Sequence, residues 1–201
     1  INIWRIANLI LDNYPFKYYY EGNSLTKMEG RVMLIGICGK SGSGKTTLSK
    51  KLEQLSNNII YLDIDKIGHN VLLYQNVKNE LIDTFGLSII KENEINRKFL
   101  SKLVFNSKEM MDKLTYITWK YMEMEIDNFI KKNENKIIIL DWQLLPKTKY
   151  FNMCKIKILL DISYETRRER AIKRDNITME EFDLREKASI DYNVDDFDIV
   201  I

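Results

Sequence analysis

The chain of 201 residues has one histidine, two cysteines and two prolines. The single imidazole, His69, excludes zinc chemistry built on several histidines, and any Ser-His-Asp site would have to hang on it. Cys38 and Cys154 are too few for a metal cluster or a disulfide framework, and their scarcity suits a reducing, cytoplasmic setting. No apolar run approaches the roughly 18 residues that a membrane helix needs, and no signal peptide is visible. The 31 basic and 29 acidic side chains leave a net charge of +2, which provides no electrostatic footprint for nucleic acid. Three alanines against 28 isoleucines read as a codon-composition bias and not as function. An opening isoleucine points to a start inside a longer product, fused to an upstream domain.

What is present is ordinary for a globular chain with a real core: 45% hydrophobic and 30% charged residues. Ile3, Ile6, Ile10 and Leu11, with Ala7 between them, form one helical stripe, and Pro15 ends that helix. An aromatic, turn-rich stretch follows. Residues 1–30 carry no visible chemistry and read as a packing appendage or the tail of an upstream domain. Residues 31–201 have a different pattern. Apolar runs at 32–38, 58–64, 136–141, 155–162 and 197–201 predict strands buried on both faces. Helical stretches separate them, so an α/β fold with a five-stranded parallel sheet flanked by helices is expected. Leu48, Leu52 and Leu55 line the first helix, and Met111, Leu114, Ile117, Tyr121, Met124 and Phe129 line a long one over 107–132. Residues 66–133 are predicted to be helical throughout, an insertion between the second and third strands.

The sharpest signal is Gly39-Lys40-Ser41-Gly42-Ser43-Gly44-Lys45-Thr46, a G-x-x-x-x-G-K-[ST] run between a predicted strand and a predicted helix. Gly39, Gly42 and Gly44 permit backbone conformations and close approaches that a Cβ would block. Successive N–H groups there can form a nest for phosphate oxygens, backed by the helix N-terminus that continues into Thr47. Lys45 would reach the β- and γ-phosphates of ATP, and the Thr46 hydroxyl would hold Mg²⁺. The expected architecture is therefore a P-loop NTPase fold. The chain is small and lacks a guanine-reading Asn-Lys-x-Asp run, which favours a small-molecule kinase. Asp63 and Asp65 end the second predicted strand on one side, where a carboxylate could meet an acceptor hydroxyl or a metal-bound water, or cap a following helix. Asp141 ends the third and suits the metal side. Arg167, Arg170 and Arg174 share one helical face after the fourth strand, as a phosphoryl-clamping lid over about 163–190 or as a solvated ion-paired face.

These residues resemble the dephospho-coenzyme A kinase family over about residues 33–201. The resemblance rests on the phosphate loop, the YLDIDKIGHNVL segment, Phe85-Gly86 followed by Asn96, Arg97, Leu100, Val104 and Phe105, and the ETRRERAIKRDNIT helix with Arg170 and Arg174. Arg185 and the closing FDIVI run match as well. The chain departs from the family pattern at Thr118-Trp119, at Trp142-Gln143 through Lys147, and at Ser189, all on the acceptor side. The resemblance implies ATP-dependent phosphorylation of the ribose 3′-hydroxyl of dephospho-coenzyme A, with residues 66–133 as a helical acceptor-binding insertion. It implies Lys45, Asp65, Arg170 and Arg174 as catalytic groups and Asp63, Asp65 and Arg97 on the acceptor. Trp119 and Gln143 are expected to line the acceptor pocket, and His69 is expected to pack below the strand end. Two alternatives stand beside this: a kinase of the same fold for a nucleoside or pantetheine derivative, and a non-catalytic nucleotide-binding module.

Overall fold

A computed structural model of the chain describes residues 3–12, 18–21, 24–27, 32–105 and 107–201. In chain order the elements are α1 (Ile3–Asp12), β1 (Tyr18–Glu21), β2 (Ser24–Lys27), β3 (Met33–Cys38), α2 (Lys45–Glu53) and β4 (Ile59–Asp63). Next come α3 (Ile64–Val71), α4 (Gln75–Phe85), β5 (Ile90–Lys91), β6 (Glu94–Ile95), α5 (Arg97–Phe105) and α6 (Lys108–Lys132). The chain continues through β7 (Ile137–Asp141), α7 (Lys149–Met153), β8 (Ile156–Leu159), α8 (Tyr164–Asp175), α9 (Met179–Lys187) and β9 (Ile199–Val200). Two compact units result: Ile1–Asp63 with Ile130–Ile201, and Ile64–Phe129.

The first unit is built on a five-stranded parallel sheet in the order β4-β7-β3-β8-β9. Every residue of β3 and β7 is buried, as their unbroken apolar runs predict. On one face Ile35, Ile37, Ile137, Ile139 and Ile158 pack with Leu48 and Leu52 of α2 and with Ile6 and Ile10 of α1. The stripe of α1 therefore belongs to the core of this unit; the side chains of Ile3 and Leu11, and Pro15, lie outside the described residues. On the other face Gly36 leaves the space that Leu145 and Cys154 fill, since a Cβ there would sit 2.8 Å from Leu145 Cδ2. The turn-rich stretch after Pro15 contains two antiparallel strands, β1 paired with β2, which its aromatic composition did not announce.

In the second unit Val77, Leu81, Ile89, Ile95, Leu100, Val104 and Ile117 form a core of their own. The expectation of helix throughout residues 66–133 fails at β5 and β6, which pair antiparallel. The reason is local: Glu92 and Asn93 both take positive φ, 52° and 63°, the backbone of a tight two-residue hairpin turn. The stripe read on α6 also needs correction. Ile117 is buried with Met122 and Ile126, whereas Met124 is 59% exposed.

Candidate active site

The phosphate loop joins β3 to α2 at the place where the sheet order reverses, with β7 on one side of β3 and β8 on the other. Ligands of open α/β sheets bind at that edge. Gly42 and Gly44 take φ of 81° and 97°. Gly44 is the N-cap of α2 and supplies no side-chain bond, so the first-turn amides of Lys45, Thr46 and Thr47 start a helix without a side-chain cap. An anion is what completes such an end. Lys45 Nζ donates to the Gly39 carbonyl at 2.9 Å, which folds the side chain back over the loop. Ser43 Oγ is buried and has no hydrogen-bond partner among the described residues. An orphaned hydroxyl inside a phosphate-binding loop is a group left for a ligand.

Two carboxylates stand beside the loop. Asp63 of β4 and Asp141 of β7 are register partners at the carboxyl ends of their strands, and Asp141 is in turn the partner of Ile37 in β3. Asp141 is buried, with Ser49 Oγ 3.4 Å from its Oδ2 while that hydroxyl also reaches the Lys45 carbonyl at 3.0 Å. Among the described residues no cluster of three or more His, Cys, Asp or Glu side chains forms a metal site. A magnesium ion is ordinarily held by one or two carboxylates plus phosphates and waters, and the buried Asp141 at the carboxyl end of β7 is such a carboxylate. Cys38 and Cys154 are both buried, which pushes their thiols far up and keeps them protonated.

The remaining predicted residues are distributed as follows. Asp63 and Asp65 do not share a strand: β4 ends at Asp63, and Asp65 falls in the first turn of α3 in the second unit, where it is exposed. The helix begins at once because Ile64 and Ile67 adopt helical spacing for burial. His69, expected to be packed, is exposed on the same helix. Arg97 opens α5 and is exposed, and Asn96 accepts the Phe99 N–H at 3.1 Å, capping that helix. Leu100 and Val104 are buried. Trp119 Nε1 donates to Glu123 Oε1 at 3.3 Å. Gln143 is half-buried in the first unit, and its carbonyl accepts the Tyr192 hydroxyl at 2.9 Å.

The arginine face divides. Arg167 is buried and forks onto Glu186 at 2.7 and 2.9 Å, while Arg170 is exposed. Arg174 forks onto Asp175 at 2.7 and 2.9 Å, and Arg185 joins the same carboxylate at 2.6 Å. The hydrogen bonds from Arg174 hold Asp175 below its ordinary range despite burial. Sequence reasoning missed Tyr192, whose hydroxyl oxygen accepts the Gly39 N–H at 3.2 Å, and it missed Glu186. Neither has a local signal, since their partners lie far away in the chain. A cavity of about 460 Å³ opens beside the loop, lined by Lys40, Ser163, Tyr164, Arg167 and Tyr192.

The family profile of dephospho-CoA kinase matches residues 33–194. The dephospho-CoA kinase of Fusobacterium nucleatum is 35% identical over 178 residues, 85% of this chain and 89% of that protein. The Aquifex aeolicus dephospho-CoA kinase is 35% identical over 160 residues, 78% of this chain and 80% of its own length. The crystal structure of TT1252 from Thermus thermophilus shares the fold, with a TM-score of 0.70 at 22% identity over 85% of this chain and 87% of that one. The chain belongs to the dephospho-CoA kinase family.

Proposed function

We propose that the chain transfers the γ-phosphoryl group of ATP to the ribose 3′-hydroxyl of dephospho-coenzyme A, giving ADP, coenzyme A and a proton. This is the last step of coenzyme A synthesis. The observation that carries the reading is the uncapped start of α2 behind a loop with Lys45, Ser43 and the Asp63–Asp141 pair at one sheet edge. Such a transfer asks mainly for positioning and charge stabilisation. In this reading the α2 amides and Lys45 hold the β- and γ-phosphates, with Lys45 leaving the Gly39 carbonyl to do so. Gly39, Ser41, Gly42, Ser43, Gly44 and Thr47 complete the ATP loop. Thr46 and Asp141 would hold Mg²⁺, which would supply positive charge against the phosphates. Asp65 orients the acceptor hydroxyl or takes its proton, and Asp63 and Arg97 contact the acceptor. Arg170 and Arg174 meet the charge that develops on the moving group. Trp119 and Gln143 are further acceptor contacts in this reading.

The test is ADP release by the purified chain with ATP and Mg²⁺, before and after addition of dephospho-coenzyme A. The expected result is release that depends on that acceptor. Release that depends instead on a nucleoside or on a pantetheine derivative would move the acceptor assignment and leave the ATP site standing.

A further inference from the structure

Four consecutive loop residues, 39–42, are held from the C-terminal third of the chain. The Gly39 N–H donates to the Tyr192 hydroxyl at 3.2 Å. Lys40 Nζ reaches Glu186 at 3.3 Å and Asp191 at 3.1 Å. The Ser41 carbonyl lies 3.5 Å from Arg167 Nη1. Gly42 abuts the main chain of Arg167 so closely that a Cβ would sit 2.2 Å from the Arg167 carbonyl oxygen. The hub of these contacts is an ion pair between the buried Arg167 and the half-buried Glu186: Arg167 gives two hydrogen bonds to Glu186 and a third to the Ile162 carbonyl at 2.9 Å. The Arg167 bond holds the Glu186 carboxyl below its ordinary range, with burial opposing and Lys40 assisting.

We propose that Arg167, fixed by Glu186, is a positioning residue that holds the phosphate loop in its anion-ready shape before ATP arrives. In a trans peptide the C=O and the following N–H point to opposite sides. Anchoring the Ser41 carbonyl on the Arg167 side therefore turns the Gly42 N–H the other way. The planar guanidinium reaches one carboxylate and two carbonyls at once, which a lysine ammonium on its flexible stem does not reproduce. A loop already ordered loses less conformational freedom when phosphates bind, so the benefit falls on ATP affinity. Once ATP is seated its phosphates hold the loop themselves, and the turnover rate depends less on the tether.

This inference rests on the loop being the ATP site. Its test uses two variants of the full chain. The double variant Arg167→Gln with Glu186→Gln replaces the ion pair by two amides, so no buried charge is stranded. Arg167→Lys keeps the charge for Glu186 and gives up the fork. KM for ATP and kcat are measured with dephospho-coenzyme A as acceptor, ATP binding is measured by calorimetry, and folding by thermal melts. The expected result is an ATP KM and dissociation constant raised at least tenfold in the double variant and about three- to tenfold in Arg167→Lys. In both, kcat falls less than KM rises and the acceptor KM stays within about twofold. ATP binding within twofold of the unaltered chain in the folded variants overturns the positioning role, and Arg167→Lys decides alone if the double variant does not fold. An unaltered chain that binds no ATP overturns the ATP-site reading and this inference together.

Discussion

Lys45 and Gly42 show two ways in which one loop residue matters. Lys45 supplies a positive charge within the loop, resting on the Gly39 carbonyl. Lys45→Ala is expected to lower kcat/KM by about 10²–10³-fold, because the charge that follows the γ-phosphate is gone. Steady-state kinetics on the folded variant check this, and near-normal turnover would contradict it. Gly42 is needed for two separable reasons. Its φ of 81° disfavours any Cβ, and the Arg167 carbonyl occupies the place of one. Gly42→Ala should therefore cost about 2 kcal/mol or more in a denaturant melt, with a weaker ATP KM as well. Gly44→Ala would meet nothing within 4 Å, and there only the φ of 97° resists. Residue types at the loop were readable from sequence because each answers a local backbone need. The Asp63–Asp141 pairing was not, since it depends on which strands become neighbours.

At the scale of elements, α8 is the informative case. Spacing places Arg167, Arg170 and Arg174 on one face, and spacing alone does not say which of them turns inward. Burial of Arg167 follows from Glu186, 19 residues later on α9, so the pattern within α8 is silent about it. What remains for a lid is Arg170, exposed, and Arg174, shared with Arg185 through Asp175. Arg170→Ala and Arg174→Ala are each expected to lower kcat at least tenfold and to shift ATP affinity by less than threefold. Stability should fall by no more than about 1 kcal/mol, the upper end for a largely solvated pair such as Arg174–Asp175. Unchanged kinetics in both variants would return them to a solvated surface role. The parallel strands were legible because unbroken apolar runs have one common explanation, burial on both faces. The β5–β6 hairpin was not, because two-residue strands carry no periodicity and the positive φ of Glu92 lacks a glycine to mark it.

At the scale of the whole molecule, two carboxylates link the loop and the α8–α9 region to acid stability. Arg167 holds Glu186 below its ordinary value of 4.5, and Arg174 holds Asp175 below its ordinary value of 3.8. The unfolded chain therefore takes up protons at a higher pH than the folded one. The stabilising contribution is complete above those ordinary values and is lost as pH falls through the lower folded ones. Melting temperature from this source should be flat from about pH 7 to 5 and fall below about 4.5, with a shallower fall in Glu186→Gln. An equal acid dependence in that variant would contradict the assignment. Among the described residues no helix is long and apolar enough to cross a membrane.

In the proposed reaction a phosphoryl group leaves ATP and arrives on one particular hydroxyl. Phosphorus NMR of the reaction with dephospho-coenzyme A reads this directly. The expected result is a new monoester resonance on the ribose 3′-oxygen, with the acceptor's diphosphate intact and one ADP formed per product. ATP hydrolysis to free phosphate with no new monoester, or a monoester at another oxygen, would contradict it.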